Sequence, residues 1–143
     1  MTAMLSAFST SMSRSADPLW KNKSLKLAQA YLDEILSKKY DNDTPLGGVP
    51  ATTSISCGSL GPESGEIRAE FDDVDDYNSL SDNPPKLVTN NDMTGYAGYT
   101  VQVTVICAGD DVSVSNDNAK LITVTVTSPN NTTMPFSAYR GNF

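Results

Sequence analysis

The sequence concentrates acidic side chains in one short segment whose oxygen atoms suit a hard cation. The aspartates of this segment are Asp72, Asp73, Asp75 and Asp76. Calcium takes about six to eight oxygen ligands, so an acidic loop has the right chemistry for it. The spacing is not that of an EF-hand, because Tyr77 occupies the fifth position counted from Asp73, and the loop glycine and distal glutamate are missing. The segment is therefore either a Ca²⁺ site or a solvated acidic turn.

Other catalytic chemistries have little support in the composition. The chain has no histidine, which removes Ser-His-Asp and Cys-His catalysis and histidine-ligated metals. Paired carboxylates serve glycosidases, but a single tryptophan and carboxylates placed in solvent-prone turns do not indicate a sugar cleft. We expect the protein not to be an enzyme and to need no cofactor apart from Ca²⁺ in an acidic loop. A second such loop contains Asp110, Asp111, Asn116 and Asp117.

Two cysteines, Cys57 and Cys107, are either two buried thiols of a cytosolic protein or one disulfide of an exported protein. They do not form a C-x-x-C pair, and without histidine a zinc site is not expected. The residues after position 40 are rich in Ser, Thr and Asn and poor in Lys, which favours export and therefore the disulfide. Such a bridge closes a loop of about 50 residues and is worth ~4 kcal/mol in the chain-entropy model.

Charge is distributed unevenly along the chain. Residues 1–39 contain six basic and three acidic residues, whereas residues 40–143 contain four basic and fourteen acidic residues. The surplus of acidic residues argues against nucleic-acid binding, which needs positive charge facing the phosphates. A basic helix with an acidic head indicates either attraction between copies in an assembly or an ordinary solvated surface.

The first 40 residues carry the helical pattern. In residues 1–17 the apolar residues fall on one helical stripe, which is typical of the end of a helix. Asp17 and Pro18 have the types found at a helix start or a kink, so we expect an amphipathic helix over residues 18–40. Its stripe serves either as core or as a surface for partner subunits. The stripe residues are Leu25, Ala28, Leu32, Ile35 and Leu36, and Trp20, Leu27 and Tyr31 widen it.

After a Gly/Pro-rich loop over residues 41–65, the pattern changes to alternation. Apolar and polar residues alternate in 66–71, 99–106 and 121–127, which predicts half-buried strands of an antiparallel sheet. A short strand at 112–114 and a last strand near 134–140 are also expected, the latter at an edge because it contains a proline. The sequence thus predicts one α+β domain over 1–143, with an N-terminal helix packed on a single antiparallel sheet formed by 66–143.

Three short strings make the chain similar to a known family. They are RSADP at 14–18, LAQAYLDEIL at 27–36, and FDDVDDY at 71–77, and Cys57-Gly58 lies between the last two. Together with the predicted layout, they resemble minor pilins of the mannose-sensitive haemagglutinin (MSHA) type IV pilus, the MshD-like group. The resemblance covers roughly residues 3–107.

The resemblance implies a structural role outside the cytoplasm of a Gram-negative bacterium. It implies that the stalk helix packs with other pilin subunits in an extracellular filament, and that the subunit is held in the inner membrane, facing the periplasm, before assembly. The family's basic leader, peptidase site and apolar half-helix do not occur in this sequence. We therefore expect that Met1 stands in place of the membrane-inserting half and that residues 3–16 are its remaining end.

Two alternatives to a minor pilin stay open. A type II secretion pseudopilin has the same fold and drives export rather than forming a fibre. An extracellular carbohydrate- or ion-binding adhesin domain would use its head instead, with Trp20, Tyr96 and Tyr99 as candidates for stacking on a sugar. Tyr99 and Trp20 are equally well explained as contacts between helix and sheet.

Overall fold

One long helix and one antiparallel sheet make up the regular structure. The computed structural model describes residues 2–53 and 57–143, with side chains from residue 18 onward. Within these residues the general α+β layout expected from the sequence is confirmed. The elements are helix α1 (Thr2–Leu36) and strands β1 (Ser81–Asp82), β2 (Thr100–Cys107), β3 (Ala119–Thr127) and β4 (Thr133–Gly141), with short 3₁₀ helices at Asp75–Tyr77, Gly109–Val112 and Asn116–Asn118.

Helix α1 is continuous through Pro18. The expectation that a separate helix begins at Asp17-Pro18 is therefore wrong. Proline removes a single backbone donor from the interior of a helix, and the good helix formers after it, such as Leu27 and Ala28, favour continuation. At about 1.5 Å per residue the helix is roughly 50 Å long.

The helix ends at Leu36, earlier than the expected residue 40. The chain leaves the helix because the backbone of Lys39 forms a parallel bridge with Asp73. The Lys39 amide donates to the Asp72 carbonyl at 3.2 Å, and the Val74 amide donates to the Lys39 carbonyl at 3.1 Å. This bridge joins the foot of the helix to the acidic segment.

The sheet is a meander in the order β1-β2-β3-β4, with each neighbouring pair antiparallel. The registers place Val103 opposite Val124, and Val124 opposite Phe136. The predicted strands at 99–106 and 121–127 are confirmed to within two residues at each end. The strand near 134–140 is also confirmed, and Pro135 lies in the edge strand β4, where one side of the backbone needs no partner.

A single hydrophobic core lies between α1 and the sheet. The helix contributes buried side chains from Leu27 to Ile35, and β2 and β3 contribute the alternating valines and Ile122 that the sequence pattern assigned to one face. Because both layers bury their apolar faces in this one core, neither is expected to be stable without the other. The buried core residues are Leu27, Ala28, Tyr31, Ile35, Phe71, Val74, Tyr77, Tyr99, Val101, Val103, Val105, Ile122, Val124 and Val126.

Two of the predicted strands are wrong. Residues 66–71 form turns, with Ile67 exposed and Arg68 buried, the reverse of the predicted faces. The reversal is stable because carboxylates inside the protein accept the Arg68 guanidinium. In the segment expected as a strand at 112–114, Val112 is the last residue of the 3₁₀ helix Gly109–Val112, and Ser113 after it has a φ of 64°. The sheet part of the head therefore begins at Ser81 rather than at residue 66.

Candidate functional site

The acidic segment folds into a turn that is closed by two of its own aspartates. The Asp73 Oδ1 atom accepts hydrogen bonds from the amides of Asp75 and Asp76, at 2.9 and 3.3 Å. The Asp76 Oδ2 atom accepts from the amides of Asp72 and Asp73, at 2.8 and 3.0 Å. This reciprocal arrangement resembles a capping box, although it begins one residue ahead of Val74, which directly precedes the 3₁₀ helix Asp75–Tyr77 and has no side-chain cap.

The turn is buried, which corrects the expectation that it is a solvated acidic turn. Asp73 and Asp76 are each 1% exposed, and Asp75 is 8% exposed. Phe71 and Tyr77, on either side of the turn, lie in the core, and this places the aspartates between them inside the protein. Burial of several carboxylates is unfavourable unless each finds donors or a cation.

The structure brings three of the four predicted aspartates together. One carboxylate oxygen from each of Asp72, Asp73 and Asp76 lies within 4.8 Å of the others. A second group of the same kind joins Asp76 to Glu63 and Glu66. These glutamates were not predicted as ligands, although their three-residue spacing just ahead of the acidic segment was a usable signal.

Asp75 does not belong to this cluster. Its Oδ1 atom accepts a hydrogen bond from Nζ of Lys120 at 2.5 Å. Lys120 is 0% exposed, and its Nζ also donates to the carbonyl of Tyr40 at 2.6 Å and lies 3.6 Å from Oδ2 of Asp41. The aspartate is therefore part of a buried ion pair that ties β3 to the segment after the helix.

The crowding raises the pKa values of the clustered carboxyls. Burial, followed by the contact with Asp75, raises the pKa of Asp73 to about 8. Loss of hydration, followed by the contact with Glu63, raises the pKa of Glu66 to about 7, and the charge of Asp76 adds to the effect. Burial also raises the pKa of Asp76. Ionisation of these carboxyls is therefore energetically unfavourable, and binding of protons or of a cation lowers the free energy of the site.

A second polar network lies under the helix. The Arg68 guanidinium forms an ion pair with Glu34 of α1, and the Tyr77 hydroxyl donates to the same carboxylate at 2.7 Å. The Tyr31 hydroxyl donates to Oδ2 of Asp82 at 2.6 Å. These contacts join the helix to the turn and to β1, and among the described residues Nε and Nη2 of Arg68 are buried without a hydrogen-bond partner.

The disulfide between Cys57 and Cys107 is confirmed, with a Cα–Cα distance of 5.8 Å and a sequence separation of 50. It ties the long loop after the helix to the end of β2. Among the described residues, the second acidic loop forms no group of three ligands, and its Asp111 accepts a hydrogen bond from Tyr139 instead.

The predicted stripe of the helix is divided between core and solvent. Ala28 and Ile35 are buried, Leu32 and Leu36 are partly buried against the core, and Leu25 is 52% exposed. Leu27 and Tyr31, expected only to widen the stripe, lie at its centre with 0% and 1% exposure. The helical face is therefore rotated slightly from the predicted one.

The aromatic residues considered for sugar stacking pack on each other. The ring centroids of Trp20 and Tyr99 lie 6.1 Å apart, and those of Tyr96 and Tyr99 lie 5.5 Å apart. Tyr99 is 1% exposed and has no face free for a ligand. These rings are part of the contact between helix and sheet.

Comparisons with known proteins do not identify a family. No family model matches the chain, and neither a curated protein nor a solved structure matches it. Within the described part of the chain, no helix has both the length and the apolar character that crossing a bilayer requires. The functional argument therefore depends on the geometry of the helix, the sheet and the acidic turn.

Proposed function

We propose that the protein is a structural, non-enzymatic minor pilin of an MSHA-type type IV pilus that contributes to filament assembly and surface attachment. The observation that carries the proposal is that the two sides of α1 differ in burial. One side of the helix buries Leu27, Tyr31 and Ile35 against the sheet, while the opposite side stays open along the same stretch. A subunit that packs through its helix in a filament needs such an open side.

The open side of the helix carries both apolar and basic groups. Leu19 is 56% exposed and Leu25 is 52% exposed, and Lys21 and Lys26 are exposed beside them. The leucines supply apolar area that can be buried against neighbouring helices. The lysines complement the net negative charge of the head, residues 40–143, of another copy. Other subunits of the same filament are thus the proposed partners.

The disulfide supports a location outside the cytoplasm. Such bridges persist in the periplasm and on cell surfaces and are rare in reducing compartments. In this proposal the subunit waits at the periplasmic side of the inner membrane of a Gram-negative bacterium and ends in an extracellular pilus. Its membrane contact would be made by an apolar half-helix of the kind that pilins of the family carry.

Deletion and complementation of the gene test the proposal. Loss of the gene should reduce surface filaments and attachment, and the wild-type gene should restore both. Leu25→Lys should fail to restore them, whereas Leu46→Lys, at a loop residue that is 95% exposed, should restore them. Purified Leu25→Lys protein should unfold at the wild-type temperature, because the changed side chain is not part of the core.

Three outcomes would contradict the proposal. If filaments remain but secretion of exoenzymes is lost, the protein acts as a type II secretion pseudopilin. If filaments and secretion remain but adhesion to sugars is lost, the head acts as an adhesin. If Leu25→Lys complements as well as Leu46→Lys, the open side of the helix is not an assembly surface.

A further inference from the structure

Two buried carboxylate oxygens in the acidic turn have no donor. The capping box uses Oδ1 of Asp73 and Oδ2 of Asp76, and among the described residues the remaining oxygens, Asp73 Oδ2 and Asp76 Oδ1, accept no hydrogen bond. Both side chains are 99% buried. The box therefore explains one oxygen of each residue. Each aspartate also lies beside another carboxyl, Asp75 for Asp73 and Glu66 for Asp76, so the remaining oxygen needs a shared proton or a cation.

Within the described residues, no ion pair balances the negative charge of Asp76 and its two neighbouring glutamates. Glu63 and Glu66 bring further carboxylate oxygens to within 4.8 Å of an oxygen of Asp76. Among the described residues, no ion pair joins Glu63, Glu66 or Asp76 to a lysine or arginine. The neighbouring lysines are engaged elsewhere, because Lys39 pairs with Asp72 and Lys120 pairs with Asp75 and Asp41.

Solvent reaches this cluster from one side. A shallow cleft lies over the glutamates, and Glu63 and Glu66 belong both to the cleft and to the cluster with Asp76. A small ion entering the cleft therefore meets the glutamates first and the buried aspartate behind them. The cleft is lined by Asn42, Glu63, Ser64, Gly65, Glu66 and Glu70.

We propose that this cluster is a Ca²⁺-binding site centred on Asp76, with Glu63 and Glu66 as ligands from the cleft. The donors are all carboxylate oxygens, which select a hard cation over zinc or copper. They come from a loop and a turn rather than from a rigid frame, and this suits the irregular coordination of Ca²⁺ better than the strict octahedron of Mg²⁺. The proposal does not depend on the proposed function.

The ion would join two parts of the chain. Residues 63–66 belong to the long loop, whereas Asp73 and Asp76 belong to the turn that bridges to Lys39 at the foot of the helix. Binding one Ca²⁺ replaces repulsion between these carboxylates with shared coordination. The ion therefore stabilises the junction between helix and head.

Calorimetric titration of chelator-treated, dialysed protein with CaCl₂ at pH 7.5 tests the proposal. We expect one saturable site with a Kd of about 0.1–1 mM, the range of extracellular Ca²⁺ modules. At 5 mM CaCl₂ the unfolding temperature should rise by about 5 °C. MgCl₂ should bind at least about tenfold more weakly, because it gives up its hydration water reluctantly.

Matched variants locate the site. Asp76→Asn should abolish the response, and Glu66→Gln should weaken binding at least about tenfold. If Asp76→Asn fails to fold, Glu66→Gln decides alone, because Glu66 lies outside the capping box and its side chain accepts a hydrogen bond from the Glu63 amide, which a glutamine oxygen can also accept. Asp110→Asn, in the exposed second acidic loop, should bind Ca²⁺ like the wild type.

The proposal is overturned by any of three results. The first is the absence of saturable heat and of a thermal shift at 10 mM CaCl₂. The second is an equal response to Mg²⁺, which would indicate general screening of an acidic protein. The third is unchanged affinity in Glu66→Gln, which would place the bound ion elsewhere.

Discussion

A substitution of Lys120 tests most directly how much the buried ion pairs stabilise this fold. The side chain is 0% exposed, and its Nζ donates to the Tyr40 carbonyl and to Asp75, with Asp41 at 3.6 Å. It also lies 4.4 Å from the ring centroid of Tyr40. Lys120→Met keeps an unbranched apolar side chain of nearly the same length and removes the ammonium group.

The substitution leaves two carboxylates without their cation in a place that water barely reaches. The side chains of Asp41 and Asp75 are each 12% exposed. Removing one partner of a buried ion pair costs about 3–5 kcal/mol, because the other partner keeps its desolvation penalty. A domain of this size has roughly 5–15 kcal/mol of total stability, so the variant should lose about a fifth of it or more.

Urea unfolding followed by tryptophan fluorescence measures the loss, since Trp20 is the single tryptophan and packs near Tyr99. Lys86→Met is the matched control, because its ammonium makes only an exposed contact to Asn90, and it should change stability by less than about 0.5 kcal/mol. Adding Asp75→Asn to Lys120→Met should recover about half of the loss. A stabilising role for Lys120 is refuted if the free energy of unfolding of Lys120→Met lies within about 1 kcal/mol of the wild-type value. It is also refuted if the double variant is no more stable than Lys120→Met.

Three further predictions concern the disulfide, the acidic turn and the polar network. Replacing Cys57 and Cys107 by serine should lower the free energy of unfolding by ~4 kcal/mol, because the loop of about 50 residues is no longer closed in the unfolded chain. Without divalent cations, stability should fall as pH rises from about 4 to 8, because folding raises the pKa of Asp73 from 3.8 to about 8 and the folded state binds this proton more tightly. Tyr31→Phe should cost about 1–3 kcal/mol, because the buried Asp82 carboxylate loses its 2.6 Å hydrogen bond.

Each of these predictions has a simple control. Reduction of the wild-type disulfide should reproduce the midpoint of the cysteine variant in urea, and equal midpoints for oxidised and reduced protein would contradict the prediction. The pH dependence should flatten in Asp73→Asn, and a stability that rises between pH 5 and 8 in the wild type would show the opposite linkage. Tyr139→Phe removes an exposed hydroxyl and should be nearly neutral, so equal losses in the two tyrosine variants would refute a special role for Tyr31.

The regular elements follow from local patterns and were largely predictable. In β2 and β3 the alternation of valine with threonine assigned Val103 and Val124 to the buried face, and the register places them opposite each other. The helix and the edge position of β4 were predicted for similar reasons. Such patterns succeed because burial of one face repeats every second residue in a strand and about every 3.6 residues in a helix.

The polar interior was not predictable from those patterns. Residues 66–71 alternate like a strand, yet Arg68 is buried because Glu34, thirty-four positions earlier, accepts its guanidinium. Lys120 lies just before the predicted strand 121–127, yet it is fully buried because Asp75 and Tyr40 supply its acceptors. A charge enters the interior only where distant partners neutralise it, and a local sequence window does not contain those partners.

By itself, the sequence determined the helix, the three long strands, the disulfide as the favoured state of the cysteines, and the presence of an acidic segment. Tertiary structure alone decided that Asp75 turns to Lys120 while Asp76 meets Glu63 and Glu66. The physical reason is that periodicity and composition report how each segment meets water, whereas a binding site is a convergence of side chains from segments that only the folded chain brings together.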